Sequence, residues 1–275
     1  MDTKTITTYI VDSFTNEIFK GNPAAVCLLD NEISETLMLS IAKEFNLSET
    51  AFVQKLDKNN TFSIRFFSPK IEIPLCGHAT LAASKVLFEK NPGMDQIHFI
   101  NIQQLDLMIK KAGEMITMEF PVYDTKPVDV PLVLLDALGI TNIAVVNTAY
   151  NEETNIILIE IDNCLILRSL HPNFEALLKS HDTINGVLVT ATSDKKDFDF
   201  ESRYFWPWSG TNEDPVTGGT HTFLTKYWGK RLDKQKMRSY QCSERSGFME
   251  VELISSDKFT ITSTARIFFE GELSL

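Results

Sequence analysis

No stretch of this 275-residue chain is apolar for long enough to span a bilayer, so no membrane partner is expected. Clustered positive charge is missing too: 26 basic residues face 37 acidic ones, a formal charge of −11. The short pairs Lys195-Lys196 and Lys230-Arg231 are flanked by acids, and nucleic acid, which needs its phosphates neutralised, is set aside as a partner. Met1-Asp2-Thr3-Lys4-Thr5-Ile6 has neither the basic nor the apolar region of a signal peptide, and a cytoplasmic location is expected. The four cysteines, Cys27, Cys76, Cys164 and Cys242, are widely spaced and read as free thiols. The five histidines show no His-x-x-x-His spacing and no Cys-x-x-Cys occurs; Cys76-x-His78 alone is too small a ligand set, so no metal is expected. There is no Gly-x-Gly-x-x-Gly after a strand and no Gly-x-x-x-x-Gly-Lys-Ser/Thr, and no cofactor is expected.

What the chain does contain is a repeated grammar. Arg65-Phe66-Phe67-Ser68-Pro69 precedes Pro74-Leu75-Cys76-Gly77-His78-Ala79, and Arg203-Tyr204-Phe205-Trp206-Pro207 precedes Glu213-Asp214-Pro215-Val216-Thr217-Gly218-Gly219. Three pairs share one offset without a gap: 203 − 65, 207 − 69 and 214 − 76 are all 138, about half the length. In each copy an aromatic strand stops at a proline, a small-residue turn follows, and then a helix, expected over Ala79–Phe88 and Thr220–Trp228. A glycine loop opening a helix presents unpaired N–H groups and the positive end of the dipole, which suits a carboxylate or phosphate. If the copies pack about a pseudo-twofold axis, the two helix starts face one another across a cleft. Read singly, either loop is better taken as a tight turn; the matched pair carrying His78 and Asp214 favours the anion site.

Domain boundaries follow from the composition. Residues 121–131, with three prolines and two aspartates, read as a linker between an N-terminal half, 1–120, completed by the last few residues, and a C-terminal half, 132–275. Ser34 should cap a helix whose apolar face is Leu37, Ile41 and Phe45; Asp57-Lys58-Asn59-Asn60 should be a hairpin turn. Leu132–Leu138 should be a short helix stopped by Gly139. Strands dominate elsewhere. The fold class expected is α+β: two pseudo-symmetric halves, each a curved, mostly antiparallel sheet wrapped on one helix.

Five segments, taken together, resemble the PhzF-like family, the phenazine-biosynthesis isomerase group of the diaminopimelate-epimerase-like superfamily. They are Val11-Asp12-Ser13-Phe14-Thr15, Gly21-Asn22-Pro23-Ala24-Ala25-Val26, Leu47-Ser48-Glu49-Thr50-Ala51-Phe52, Cys76-Gly77-His78-Ala79-Thr80-Leu81-Ala82 and Glu213-Asp214-Pro215-Val216-Thr217-Gly218. The resemblance covers nearly the whole chain in order. It implies barrel-like halves around central helices, an active site in the cleft between them, and a homodimer.

Candidate chemistry centres on Glu49. From its neighbours it is either a solvated turn residue or, if buried beside Leu47, Ala51 and Phe52, a carboxylate with a raised pKa fit for proton transfer. The resemblance makes it the general acid/base. His78 and Asp214, which alone could be caps, are placed by the resemblance at the substrate. Asn22 is either a turn residue or a substrate contact. Cys76 and Gly77, with Thr217, Gly218 and Gly219, are expected to line the substrate site. The offset puts Asp214 opposite Cys76, so the paired thiols of a two-base racemase are missing, and Cys76 reads as a small lining residue. Gly219 and Ser246 depart from the family's usual Gly-Ser and Ser-x-Arg-Gly-Gly. The expected function is cofactor-independent proton relocation on a small anionic, carboxylated metabolite. The rivals are a non-catalytic binding protein and an epimerase or racemase.

Overall fold

A computed structural model describes residues 5–56 and 59–275, so two positions of the expected hairpin turn, Asp57 and Lys58, and the first four residues lie outside the described residues. The chain forms two compact units: one runs to Glu119 and is completed by Ile261–Leu275, the other is Phe120–Thr260. Residues 121–131, read as a linker, fall in the second unit, where Lys126-Pro127 pairs with Tyr150 and Ala149.

In the first unit the order is β1 (Thr5–Ser13), β2 (Asn22–Leu29), α1 (Glu35–Phe45), β3 (Glu49–Lys55), β4 (Thr61–Phe67), β5 (Glu72–Ile73), α2 (Gly77–Lys90), β6 (Gln96–Ile100), β7 (Asp106–Ala112) and β8 (Met115–Pro121). The last strand of the chain, Ala265–Ser274, pairs antiparallel with β1 and so returns the C-terminus to this unit. Ser34 caps α1 by accepting from the Leu37 N–H at 3.3 Å. Its buried face is Met38, Ile41 and Ala42, with Leu37 and Phe45 at the margin, one residue round from the expected stripe.

Helix α2 is the hub. Every residue from His78 to Phe88 is buried, His78, Thr80, Ser84 and Lys85 included, so the helix is enclosed on all sides. Ala79, Ala82, Ala83 and Ser84 are small enough for β1, β2 and β3 to approach closely. It begins at Gly77, two residues before the expected Ala79, and this brings Cys76 to the cap and His78 into the first turn.

The second unit repeats the plan: β9 (Lys126–Pro127), α3 (Leu132–Leu138), β10 (Val145–Asn151), β11 (Ile156–Ile161), α4 (Cys164–Ser169), α5 (Phe174–Lys179), β12 (Gly186–Thr192), β13 (Phe200–Trp206), β14 (Thr211–Asp214), α6 (His221–Leu232), β15 (Lys236–Gln241), β16 (Gly247–Leu253) and the start of β17 (Lys258–Ser263), whose residues from Ile261 onward belong to the first unit. Its core is built from Leu134, Leu138, Ile159, Leu167, Val187, Val189 and Phe205 among others. Gly139 takes φ of 76° after α3, the left-handed stop its sequence announces.

Strand pairing proves the duplication and corrects its register. β1–β2, β3–β4, β4–β5 and β6–β7 are antiparallel while β2–β3 and β4–β6 are parallel; β10–β11, β12–β13, β13–β14, β15–β16, β11–β12 and β13–β15 match them one for one. Phe67 faces Glu72 as Phe205 faces Glu213, and Phe66 faces Ile73 as Tyr204 faces Asp214. The offset is therefore 138 before the turn (205 − 67) and 141 after it (213 − 72, 214 − 73). Three extra residues enter at the turn Pro207–Ser209. The ungapped alignment fails there. Asp214 is the counterpart of Ile73, not of Cys76, and Cys76-Gly77-His78 corresponds to Thr217-Gly218-Gly219.

Candidate functional site

The first unit gathers three chemically active side chains around the start of α2. β2 and β3 run parallel with Ala24 beside Glu49, so Glu49 opens its strand near the place where Asn22 opens β2. Gly21 holds that approach: its φ is 66°, and a β-carbon there would lie 2.0 Å from the Ser13 carbonyl oxygen, so only glycine fits. Ser13 Oγ donates to the His78 carbonyl at 2.7 Å and ties the first turn of α2 to β1. Cys76 caps α2 without a side-chain hydrogen bond to the helix.

His78 lies between the other two. Its Nε2 is 3.0 Å from Glu49 Oε2, and its Nδ1 is 3.3 Å from Cys76 Sγ. Ser48 Oγ lies 3.3 Å from the same Nε2 and 3.4 Å from Asn22 Oδ1, whose lone pairs it donates to. Glu49, Cys76 and His78 are each 8% exposed: nearly enclosed, yet not sealed.

Electrostatics overturns one expectation. Burial, the largest single influence, pushes the Glu49 carboxyl upward, as its neighbours suggest. The positive charge of His78 and hydrogen bonds from His78, Ser48 and Cys76 together outweigh it and hold Glu49 below the ordinary carboxylate value. Burial likewise opposes charge on His78, but Cys76 and Glu49 facing the ring hold it well above 6.5. Burial pushes the Cys76 thiol up, despite the nearby His78 charge. Glu49 and His78 thus favour each other's charged form, while burial favours the protonated form of Cys76. Cys76, expected only to line the site, is a direct partner of His78.

The other candidates form a group of their own in the second unit. Asp214 is 7% exposed; its carboxylate accepts from Thr217 Oγ, and its carbonyl accepts from Gln241 Nε2 at 2.7 Å. Gln241 Oε1 takes the Thr217 N–H at 2.9 Å, so Gln241 braces the whole turn, a role no motif announced. Gly218 and Gly219 lead into Thr220, the cap of α6, and a β-carbon on Gly219 would meet nothing within 4 Å. Gly77 opens α2 in the first unit. Glu49, His78, Cys76, Gly77 and Asn22 are thus brought together in one unit; Asp214, Thr217, Gly218 and Gly219 are brought together in the other.

The two units are not equivalent in chemistry. Strand register places Gly186 where the first unit has Glu49, since Thr50 faces Phe67 as Val187 faces Phe205. Thr217 and Gly219 stand for Cys76 and His78. One copy carries a carboxylate, a thiol and an imidazole at these places; the other carries none of the three.

This duplicated unit, a mostly antiparallel sheet around a buried helix, is the diaminopimelate-epimerase-like fold. A probable proline racemase of Agrobacterium radiobacter, 12% identical, superposes with a TM-score of 0.59 over 98% of this chain and 93% of its own, a likeness of fold alone. The chain belongs to the PhzC-PhzF family, described as phenazine biosynthesis-like protein, whose profile matches residues 11–271. A solved PhzF family protein of Enterococcus faecalis is 37% identical, with a TM-score of 0.90 over 99% of this chain and 100% of that one. A protein of Halalkalibacterium halodurans named as an uncharacterized isomerase is 40% identical over 97% of this chain and 98% of its own.

Proposed function

We propose that the protein is a cofactor-independent isomerase that relocates a proton on a small carboxylated, possibly cyclic, metabolite, with Glu49 as the acid/base. The observation that carries the reading is the buried Glu49–His78 pair, 3.0 Å apart at the start of α2. Family membership and the isomerase-named relative support the reaction class.

Glu49 is ionised across neutral pH, so it can accept a proton without prior activation. The same depressed value makes it a modest base, and the substrate carbon must be acidified by an adjacent carbonyl or diene. The C–H electron pair then enters the π system, the double bond migrates, and the new carboxyl returns the proton at the far end. Atoms and charge balance without a cofactor. Imidazolium at His78 stabilises both the carboxylate and negative charge developing on the substrate. The N–H groups opening α2 offer a seat for the substrate carboxylate.

The asymmetry of the copies favours this over racemisation. A two-base racemase needs an acid and a base on opposite faces of one carbon, and the places of Glu49, Cys76 and His78 hold Gly186, Thr217 and Gly219 in the other copy. Solvent deuterium incorporation tests the proposal. Carboxylates with an acidified C–H should exchange with the protein present and lose that exchange with Glu49→Gln. Exchange undiminished in the variant removes Glu49 from the role.

A further inference from the structure

Three places that correspond in the two copies differ in a concerted way. The first unit has Glu49 on β3, Phe66 on β4 and Ile73 on β5; the second has Gly186, Tyr204 and Asp214. The carboxylate stands on a different strand, and the aromatic ring between the two strands carries a hydroxyl in the second copy only. Phe66 and Ile73 are an apolar cross-strand pair; Tyr204 and Asp214 face each other at the same register, with their side chains on one side of the sheet. The Tyr204 hydroxyl oxygen stands 2.6 Å from where a β-carbon on Gly186 would lie, at the root of the side chain that bears the carboxyl in the first copy. We propose that Tyr204 and Asp214 form a ligand subsite of the second unit that takes a hydroxyl group, Tyr204 donating to its oxygen and Asp214 accepting its hydrogen.

The Tyr204 hydroxyl is what points to a ligand. Tyr204 is 4% exposed; burial and the charge of Asp214 both keep it protonated, and no hydrogen bond acts on it. Among the described residues its proton thus has no acceptor. A nearly buried donor without an acceptor costs more than the same ring without the hydroxyl. Phe66, fully buried, shows that the fold accepts the bare ring at this place. A structural role therefore does not account for the hydroxyl.

The chemistry of the pair sets the class of group. Asp214, 7% exposed, accepts from Thr217 Oγ, and a carboxylate accepts from several donors at once. A ligand carboxylate would meet a like charge there. A ligand ammonium would suit Asp214 and leave the Tyr204 proton without an acceptor. A hydroxyl accepts and donates through one atom, and so completes both. The ring of Trp206, its centroid 5.7 Å from that of Tyr204, walls one side. The subsite lies within the second unit and needs nothing from Glu49; only the carboxylate on the probes below rests on the function proposed above.

The test reads the six tyrosines, isotope-labelled, by NMR, the Tyr204 signal being the one missing from Tyr204→Phe. The probes are cyclohexanecarboxylate, its 3-hydroxy and 3-amino derivatives, and cyclohexanol. The hydroxy acid should shift the Tyr204 signal and bind at least about tenfold more tightly than the parent acid, the worth of one good hydrogen bond. In Tyr204→Phe that preference should shrink by at least about tenfold, with affinity for the parent acid unchanged and the melting temperature level or higher. A lower melting temperature would show that the hydroxyl serves the fold, and overturns the subsite. So does a hydroxyl preference undiminished in Tyr204→Phe, or a stronger preference for the amino acid derivative. Cyclohexanol that shifts the Tyr204 signal where no carboxylate does would sink the carboxylated-substrate reading and leave the subsite standing. If neither cyclohexanol nor the hydroxy acid moves that signal, the subsite is overturned.

Discussion

The ring of Tyr204 occupies the space that a side chain on Gly186 would fill: a β-carbon built there lies 2.6 Å from both Cε2 and the hydroxyl oxygen. Gly186 is the counterpart of Glu49, so the second copy has exchanged a carboxylate for an aromatic ring packed over bare backbone. Gly186→Ala should then destabilise by about 1–3 kcal/mol through overpacking. In a Tyr204→Ala background the same substitution should cost less, because the two side chains share one volume. Chemical denaturation of the four variants of this cycle measures it. Additive effects would mean that the ring does not confine Gly186.

The Glu49–His78 pair has a readout that needs no substrate. Imidazole NMR should find the wild-type His78 protonated well beyond 6.5, held there by Cys76 and Glu49 against burial. In Glu49→Gln the burial and Cys76 remain and the carboxylate charge does not, so His78 should titrate lower than in the wild type. The stability that a raised histidine value confers is complete below its unfolded value and disappears as pH rises through its folded one. That of a lowered carboxylate disappears as pH falls through its folded value. The variant's stability deficit should accordingly be largest between those limits. A His78 titration indifferent to Glu49 would contradict the pairing.

What the sequence made legible was local. Ser34 before α1, Gly139 after Leu132–Leu138 and α5 at Phe174–Lys179 each follow from cap or periodicity within a few residues. The duplication showed through Arg65 and Arg203, which make the same bidentate contact to Glu72 and Glu213. The register past the turn was hidden because three inserted residues leave no mark in composition. Glu49's direction of shift was misread for a related reason. Leu47, Ala51 and Phe52 are visible beside it, while His78, 29 positions away (78 − 49), meets it only through the sheet. The same distance concealed the Glu49–Cys76–His78 cluster.

Ser246, a position where the family resemblance leads one to expect glycine, takes a φ of 55°, in the left-handed region that favours glycine. A side chain in the left-handed region costs about 1–2 kcal/mol, partly offset by the entropy a glycine returns to the unfolded chain. Ser246→Gly should raise the melting temperature by a few degrees, a net gain near ~1 kcal/mol. The Ser243 Oγ contact to the Ser246 N–H, 3.0 Å, uses backbone and survives the change. A lowered melting temperature would show that the serine side chain holds the loop in some other way.

His221 sets the acid limit. Completely buried in α6, it has one ring nitrogen, Nδ1, 3.0 Å from the Thr217 carbonyl, which can only accept, so Nδ1 carries the hydrogen. Nε2 must then accept from Ser239 Oγ at 2.8 Å. Burial, only partly opposed by the Thr217 carbonyl, pushes its pKa down from 6.5 to about 4. The unfolded chain therefore takes up a proton first as pH falls. Stability attributable to His221 is whole above 6.5 and declines by about 1.4 kcal/mol per pH unit until about 4, where the folded form protonates too. His221→Asn should be less stable at pH 7 yet lose less on acidification, so the gap to wild type narrows across that window. Urea unfolding at several pH values reads the gap directly, and a gap that stays constant from pH 7 to 4 would mean that His221 takes up its proton as readily in the fold as in the unfolded chain.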